Sequence, residues 1–263
     1  MTFSCRKTLL KAAAFLLAVV LLCGVGGGHT ITSSAEEKSY KKSLVSGKMI
    51  AEGYPYNKPV AKSAVAAKSY FNDAVFIGDS RTVDLMIYSD LSNSKALAYC
   101  DVGLNISTVF TKKFVGYKGD KITAPAALKK NHAKYSKVYL MFGLNELGYG
   151  SVEAFINQYK KFVATVRSAN KNAVIYVQSV LPVSKQRDTT SDTFFNARIM
   201  KYNKLIRKMC REQKLFYIDL YNAFLNTEGY LPADAASDGI HFGPSYCGKW
   251  LSYLQCHTVK LNG

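Results

Sequence analysis

Five short apolar runs punctuate the chain from residue 74 onward. Ala74–Gly78, Ala96–Asp101, Lys137–Phe142, Ala173–Ser179 and Leu215–Asp219 are mainly hydrophobic, the pattern of strands buried on both faces. Between them the period lengthens. Val152, Phe155, Ile156, Tyr159, Phe162, Val163 and Val166 recur at the i, i+3, i+4, i+7 spacing of one helix face. Ser151 is placed to cap that helix, and Glu153 sits favourably in its first turn. Ile199, Tyr202, Leu205, Ile206 and Met209 form a second stripe. Pro244 suits the start of a third helix, with Tyr246, Trp250, Leu251 and Leu254 packed inward. Strands alternating with helices predict an α/β fold: a central parallel sheet of about five strands, right-handed crossovers and helices on both faces.

Outside this alternation the pattern breaks twice. Residues 36–70 are rich in Lys, Ser and Ala, carry Pro55 and Pro59, and show no sustained period; they read as a linker or an extended N-terminal strap ahead of a domain over 71–263. Leu181–Phe195 (LPVSKQRDTTSDTFF) is the longest non-periodic stretch inside the domain. It follows the fourth strand and so borders the carboxyl edge of the sheet. Most such loops are simply solvated. As a substrate rim, it would bring Arg187 or Phe194 against a sugar, and it is too polar for an apolar lid.

The N-terminus reads as a targeting segment. Arg6, Lys7 and Lys11 precede the apolar run Ala12–Val25, and Ser33-Ser34-Ala35 offers small residues for cleavage before Glu36-Glu37. A signal peptide over 1–35 is expected. An uncleaved anchor is the alternative, because Ala12–Gly28 is nearly long enough to span a bilayer. Either reading puts the domain outside the cell or on the outer face of the cytoplasmic membrane. Membrane contact is then expected only through that segment, if it is retained.

Composition sharpens this picture. The 263 residues are 48% hydrophobic, enough for a sizeable core, with 35 Lys+Arg against 18 Asp+Glu. Losing residues 1–35 removes three basic residues and no acidic one, taking the net charge from +17 to +14. An exported protein so basic attracts wall polymers, anionic polysaccharides or lipid head groups, and its location disfavours nucleic acid. Cys100, Cys210, Cys247 and Cys256 would remain, either as free thiols or in one of three complete pairings. No CxxC pair or His–carboxylate cluster stands in the sequence, so no metal site is expected.

Ligands of such sheets gather at the carboxyl ends of the strands. Ser80 lies just past the first strand, Asp101-Val102-Gly103 past the second and Gly143-Leu144-Asn145 past the third; Asp238-Gly239-Ile240-His241 precedes the last helix. Acyl transfer needs this set of groups. A serine hydroxyl attacks only when a base takes its proton, an imidazole needs a carboxylate to fix its tautomer, and the oxyanion needs N–H donors. The candidates are Ser80 as nucleophile, His241 as base and Asp238 as its orienting acid. The backbone N–H groups of Ser80 and Gly103 and the Asn145 side-chain amide are the candidate oxyanion donors. Of the other histidines, His29 lies in the export segment, His132 on a polar helix face and His257 near the end of the last helix. Asp79 reads as a turn or capping carboxylate, and Asp84 as a surface residue that could pair with Arg81.

In this order, Gly78-Asp79-Ser80, Gly103, Gly143-Leu144-Asn145 and Asp238-Gly239-Ile240-His241 resemble the four blocks of the SGNH (GDSL-like) hydrolases, over roughly Tyr70 to the C-terminus. The resemblance implies a three-layer α/β/α, flavodoxin-like fold and serine esterase chemistry with no metal or organic cofactor. Nucleophile Ser80, oxyanion donors Ser80, Gly103 and Asn145, and the Asp238–His241 pair carry over. Two positions depart. Arg81 replaces the leucine of GDSL, and Glu146 replaces the aspartate that follows the asparagine, which leaves its supporting hydrogen bonds open. The expected activity is removal of short acyl groups, such as acetyl, from carbohydrate. A lipase or lysophospholipase, an O-acyltransferase using the same residues, and a non-catalytic glycan-binding module are the alternatives.

Overall fold

The computed structural model describes residues 37–148 and 150–262; the predicted signal segment lies outside the described residues. The chain enters through a hairpin, β1 (Ser39–Val45) and β2 (Lys48–Ala51), and then alternates. β3 (Ala74–Gly78) leads into α1 (Ser80–Tyr88), and β4 (Leu97–Cys100) into a small ribbon of β5 (Val115–Tyr117) and β6 (Asp120–Ile122). Next come α2 (Ala124–Lys130), β7 (Lys137–Met141), α3 (Val152–Ala169), β8 (Val174–Gln178), α4 (Lys185–Thr190) and α5 (Asn196–Gln213). β9 (Phe216–Ile218), α6 (Leu220–Ala223), α7 (Pro244–Gln255) and β10 (Lys260–Asn262) complete it.

The five predicted strands form one sheet in the order β4-β3-β7-β8-β9, with every neighbouring pair parallel. This is a flavodoxin-like arrangement, with helices on both sides. Alternate residues of each strand feed opposite cores. Val75, Ile77, Val138 and Leu140 pack with Leu128 of α2, Phe155 and Phe162 of α3 and Ile206 of α5. Phe76, Tyr139, Tyr176 and Phe216 face the other way, toward Leu85 of α1 and Trp250 of α7. Those four rings are register partners on adjacent strands. Their centroids lie 4.7, 4.7 and 5.4 Å apart, so an aromatic ladder crosses the sheet. Cross-strand aromatic pairs of this kind add to what simple burial contributes.

Residues 37–70 lie over one end of that ladder. Tyr54 and Tyr56 pack their rings on Phe216, and Val60 N–H donates to Tyr217 O at 2.8 Å beside β9. β1 also pairs in parallel with β10. The hairpin and the β5–β6 ribbon have no counterpart in the sequence reading. Each is short, and neither buries enough apolar residues to show a period. Ser151 caps α3 as expected, accepting from Ala154 N–H at 3.1 Å. Within the stretch read as non-periodic, Lys185–Thr190 is helical, capped by Ser184. Cys100, Cys210, Cys247 and Cys256 are free thiols.

The ladder yields a stability prediction. Phe76→Ala should lower the unfolding free energy by about 3–5 kcal/mol, the range for deleting a buried aromatic ring. Leu44→Ala, on an exposed side chain of β1, should change it by less than about 0.5 kcal/mol. Urea denaturation of both variants checks the contrast.

Candidate active site

β3 ends on Gly78, and α1 begins two residues later with Ser80 in its first turn. The turn is tight because the helix starts against the sheet. A Cβ on Gly78 would stand 2.1 Å from Thr82 Oγ1 and 2.6 Å from Met141 O of β7, so only glycine fits. Asp79 caps α1, its Oδ1 accepting from Arg81 N–H at 3.0 Å. Burial pushes the Asp79 carboxyl up to about 6, although the Arg81 charge and N–H pull the other way. Ser80 keeps only 8% exposure, at the mouth of this turn.

The Asp238–His241 turn meets it. Ser80 Oγ and His241 Nε2 are 2.9 Å apart, and His241 Nδ1 lies 2.6 Å from Asp238 Oδ2. The other oxygen, Asp238 Oδ1, accepts from Ile240 N–H at 2.9 Å and His241 N–H at 2.8 Å. The short Asp-x-x-His spacing works because the backbone curls around the carboxylate. Partial burial would raise the Asp238 pKa, but these N–H donors and the imidazole outweigh it and hold it at about 2. An ionised acceptor at Nδ1 places the ring proton there and leaves the Nε2 lone pair facing the serine hydroxyl. The His241 side chain remains 43% exposed.

β4 and β7 flank β3, so their carboxyl ends carry Gly103 and Asn145 to either side of the nucleophile turn. Gly103 has φ +71°, and a Cβ there would meet nothing within 4 Å. Its glycine is set by the left-handed backbone, not by lack of room. Asn145 Nδ2 donates one hydrogen to Leu104 O at 2.9 Å, tying the two loops and leaving its second hydrogen available.

Both departures from the family blocks are buried. Arg81 carries its guanidinium into the protein, where Nη1 donates to Leu181 O at 2.8 Å and Nη2 to Pro182 O at 3.2 Å. Burial lowers its pKa to about 10, against the opposing fields of Asp79, Asp238 and Asp84, so it stays charged at neutral pH. It thus clamps the nucleophile turn to the chain leaving β8. Asp84 is not its hydrogen-bond partner and is not a surface residue. It is half-buried one turn beyond Ser80, with Oδ2 buried and without a hydrogen-bond partner among the described residues. Glu146 answers the open question about its hydrogen bonds: Oε1 accepts from Ile106 N–H at 2.6 Å and Oε2 from Gly143 N–H at 2.9 Å.

The two candidate rim residues are already engaged. Arg187 Nε and Nη2 both donate to Asp238 O, at 3.1 and 3.0 Å, and Ser184 N–H donates to Gly239 O at 3.0 Å. α4 is therefore a buttress behind the acid-bearing turn. Phe194 packs against the hydrophobic core beneath the sheet. The sequence reading lost these roles because α4 is too short to show a helical period. Two clefts, of about 240 and 310 Å³, lie beside α7 (Phe224, Tyr246, Lys249) and beside α5 (Leu147, Arg198, Lys201); neither is lined by Ser80 or His241.

Residues 76–245 match the sequence model of the GDSL-like Lipase/Acylhydrolase family. No curated protein matches the chain in sequence. Among solved structures, an acetyl xylan esterase superposes with a TM-score of 0.53 at 17% identity, over 69% of this chain and 96% of that one. A GDSL-like lipase from Bacteroides thetaiotaomicron superposes with a TM-score of 0.52 at 14% identity, over 74% of this chain and 89% of that one. These likenesses are of fold.

The position of Arg187 separates a buttress from a substrate contact. Arg187→Met should lower kcat roughly tenfold with KM little changed, because it loosens the Asp238 turn without touching substrate. Steady-state kinetics on a small acetyl ester decides. A change confined to KM would return Arg187 to the substrate rim.

Proposed function

The chain belongs to the GDSL-like lipase/acylhydrolase family and is a carboxylic ester hydrolase, and on that premise we propose that it is an exported serine esterase that removes short acyl groups, acetyl foremost, from carbohydrate. The observation that carries the chemistry is the continuous hydrogen-bond line from Ser80 Oγ through His241 to Asp238. Ser80 Oγ attacks the ester carbonyl carbon while His241 Nε2 takes its proton, and Asp238 stabilises the imidazolium. The carbonyl oxygen, now an oxyanion, is met by the Ser80 and Gly103 N–H groups and by the Asn145 amide. The tetrahedral species collapses, the C–O bond to the sugar breaks, and His241 returns the proton to the departing hydroxyl. Water then repeats the sequence on acyl-Ser80, releasing the acid and restoring the serine.

Three features support a short acyl group on a large carrier. The stretch 181–195 that borders the carboxyl edge of the sheet is polar and offers no apolar lid for a long acyl chain. The exposed His241 leaves room for a bulky leaving group. An acetyl xylan esterase shares the fold. The surplus of Lys and Arg, spread through Lys38–Lys68, Lys112–Lys137 and Lys201–Lys214, suits an anionic envelope polymer as the carrier.

Ser80→Ala should keep its fold and lose ester turnover to about 10⁻³ of wild type or less, the scale of a lost triad member. Mass spectrometry after a fluorophosphonate probe should find the label on Ser80, and acetate should be released from acetylated glycans; near-normal turnover in the variant would overturn the assignment.

The charge makes a separate prediction. Raising the salt concentration should weaken kcat/KM on an anionic acetylated polymer, because screening removes the steering field, and should leave a small neutral acetyl ester almost unaffected. Equal salt response for both substrates would remove the case for an anionic carrier.

A further inference from the structure

Glu146 sits where the two oxyanion loops meet. Its carboxylate is buried and spans both of them: Oε1 holds the N–H of Ile106, three residues after Gly103, and Oε2 holds the N–H of Gly143, two residues before Asn145. One side chain therefore sets the spacing between the loops that carry two proposed oxyanion donors. The Asn145–Leu104 bond is a second tie between the same loops, but it involves a donor that must also serve the substrate. Gly143 and Ile106 have no such second duty.

A carboxylate accepts at both oxygens, whereas a carboxylic acid turns one oxygen into a donor. If Glu146 takes up a proton, the hydroxyl oxygen becomes a much weaker acceptor, and the backbone N–H it holds is left without a good partner. A buried N–H without a partner is costly, so the loop that carries it shifts toward another partner or water. We propose that Glu146 is a positioning residue for the oxyanion hole, holding both loops in register only while ionised, so that its protonation slows the chemical step without weakening substrate binding. This rests on reading Gly103 and Asn145 as oxyanion donors.

The surroundings put this protonation within reach of ordinary pH. Burial is the main cause raising the Glu146 carboxyl to about 7; the Ile106 N–H lowers it, the Asp79 carboxyl raises it again, and the Gly143 N–H lowers it. Tyr159 from α3 and Tyr202 from α5 also face it, and burial keeps both phenols protonated; the Tyr202 hydroxyl donates to the Glu146 main-chain oxygen at 2.9 Å. The nearby cation, Arg198, is committed to Leu147 O. The folded value lies above the ordinary carboxylate value of 4.5, so Glu146 contributes most to stability below about pH 4.5 and loses that contribution as pH rises through about 7. Activity is predicted to move the other way.

The test uses Glu146→Gln, which keeps the size of the side chain and cannot ionise. At pH 8 its kcat on a small acetyl ester should fall roughly 10- to 100-fold with KM unchanged, the scale for a misplaced reacting group. Near pH 5.5 it should converge on wild type, because wild type is then protonated too. A constant ratio between the two enzymes at every pH, or no difference at any pH, would overturn the proposal. A second measurement needs no turnover. In the Ser80→Ala protein, the amide resonances of Ile106 and Gly143 should shift together with a midpoint near pH 7, and amides that do not titrate between pH 5 and 9 would overturn the proposal even if the Gln variant fails to fold. Failure of the fluorophosphonate probe to label Ser80 would instead count against the serine esterase reading, and those amide shifts would be unaffected by it.

Discussion

Parallel pairing forces every strand of the central sheet to release its chain at the same edge. An antiparallel meander would have divided the polar loops between two edges. Here β4, β3 and β7 are immediate neighbours, so Gly103, Ser80 and Asn145 are delivered side by side although they are far apart in sequence. The same pairing buries both faces of the sheet, so the strands themselves are almost wholly apolar. Function is thereby pushed into the first residues after each strand, where α1 begins and the loops turn.

Those first residues are held by buried ionisable side chains. Arg81 fixes the turn from behind, Asp79 caps the helix, and Glu146 bridges the flanking loops. Burying charge is expensive unless it is hydrogen-bonded, and each of these groups has backbone partners. In each case the partner is main chain, so the charge organises loops and not other side chains. Asp238 differs: Oδ1 takes two backbone N–H donors while Oδ2 holds the His241 ring, and Arg187 supports its main-chain carbonyl from outside. The serine, imidazole and carboxylate are thus the inner part of a larger polar framework.

This division explains what could be read from the sequence. The five strands and the main helices were legible because burial on both faces, or on one stripe, imposes a period. Ser80, Asp238, His241, Gly103 and Asn145 stood out as candidates because each lies at a strand end or in the last loop, in a recognisable order, and the structure joins Ser80, His241 and Asp238 in one hydrogen-bond line. The hold of Arg187 on the Asp238 turn was not legible, since a six-residue helix carries no period; only its two bonds to Asp238 O give that place. Asp84 was misjudged, because its position along α1 does not tell that its side chain is half-buried with Oδ2 closed to solvent. Arg81 and Glu146 were visible as departures from a pattern, but their partners lie 100 and 40 residues away and no local rule connects them.

The pairing of β1 with β10 bears on how this molecule is assembled. Asn262 donates to Ser39 across 223 residues of chain, and the register Ser39–Lys41 against Lys260–Asn262 is among its most distant contacts. Closing so large a loop carries an entropic cost before any contact compensates it. During synthesis from the N-terminus, the β1–β2 hairpin must wait for residues 260–262 before its outer edge is covered. Until then it offers an open strand edge to any passing chain.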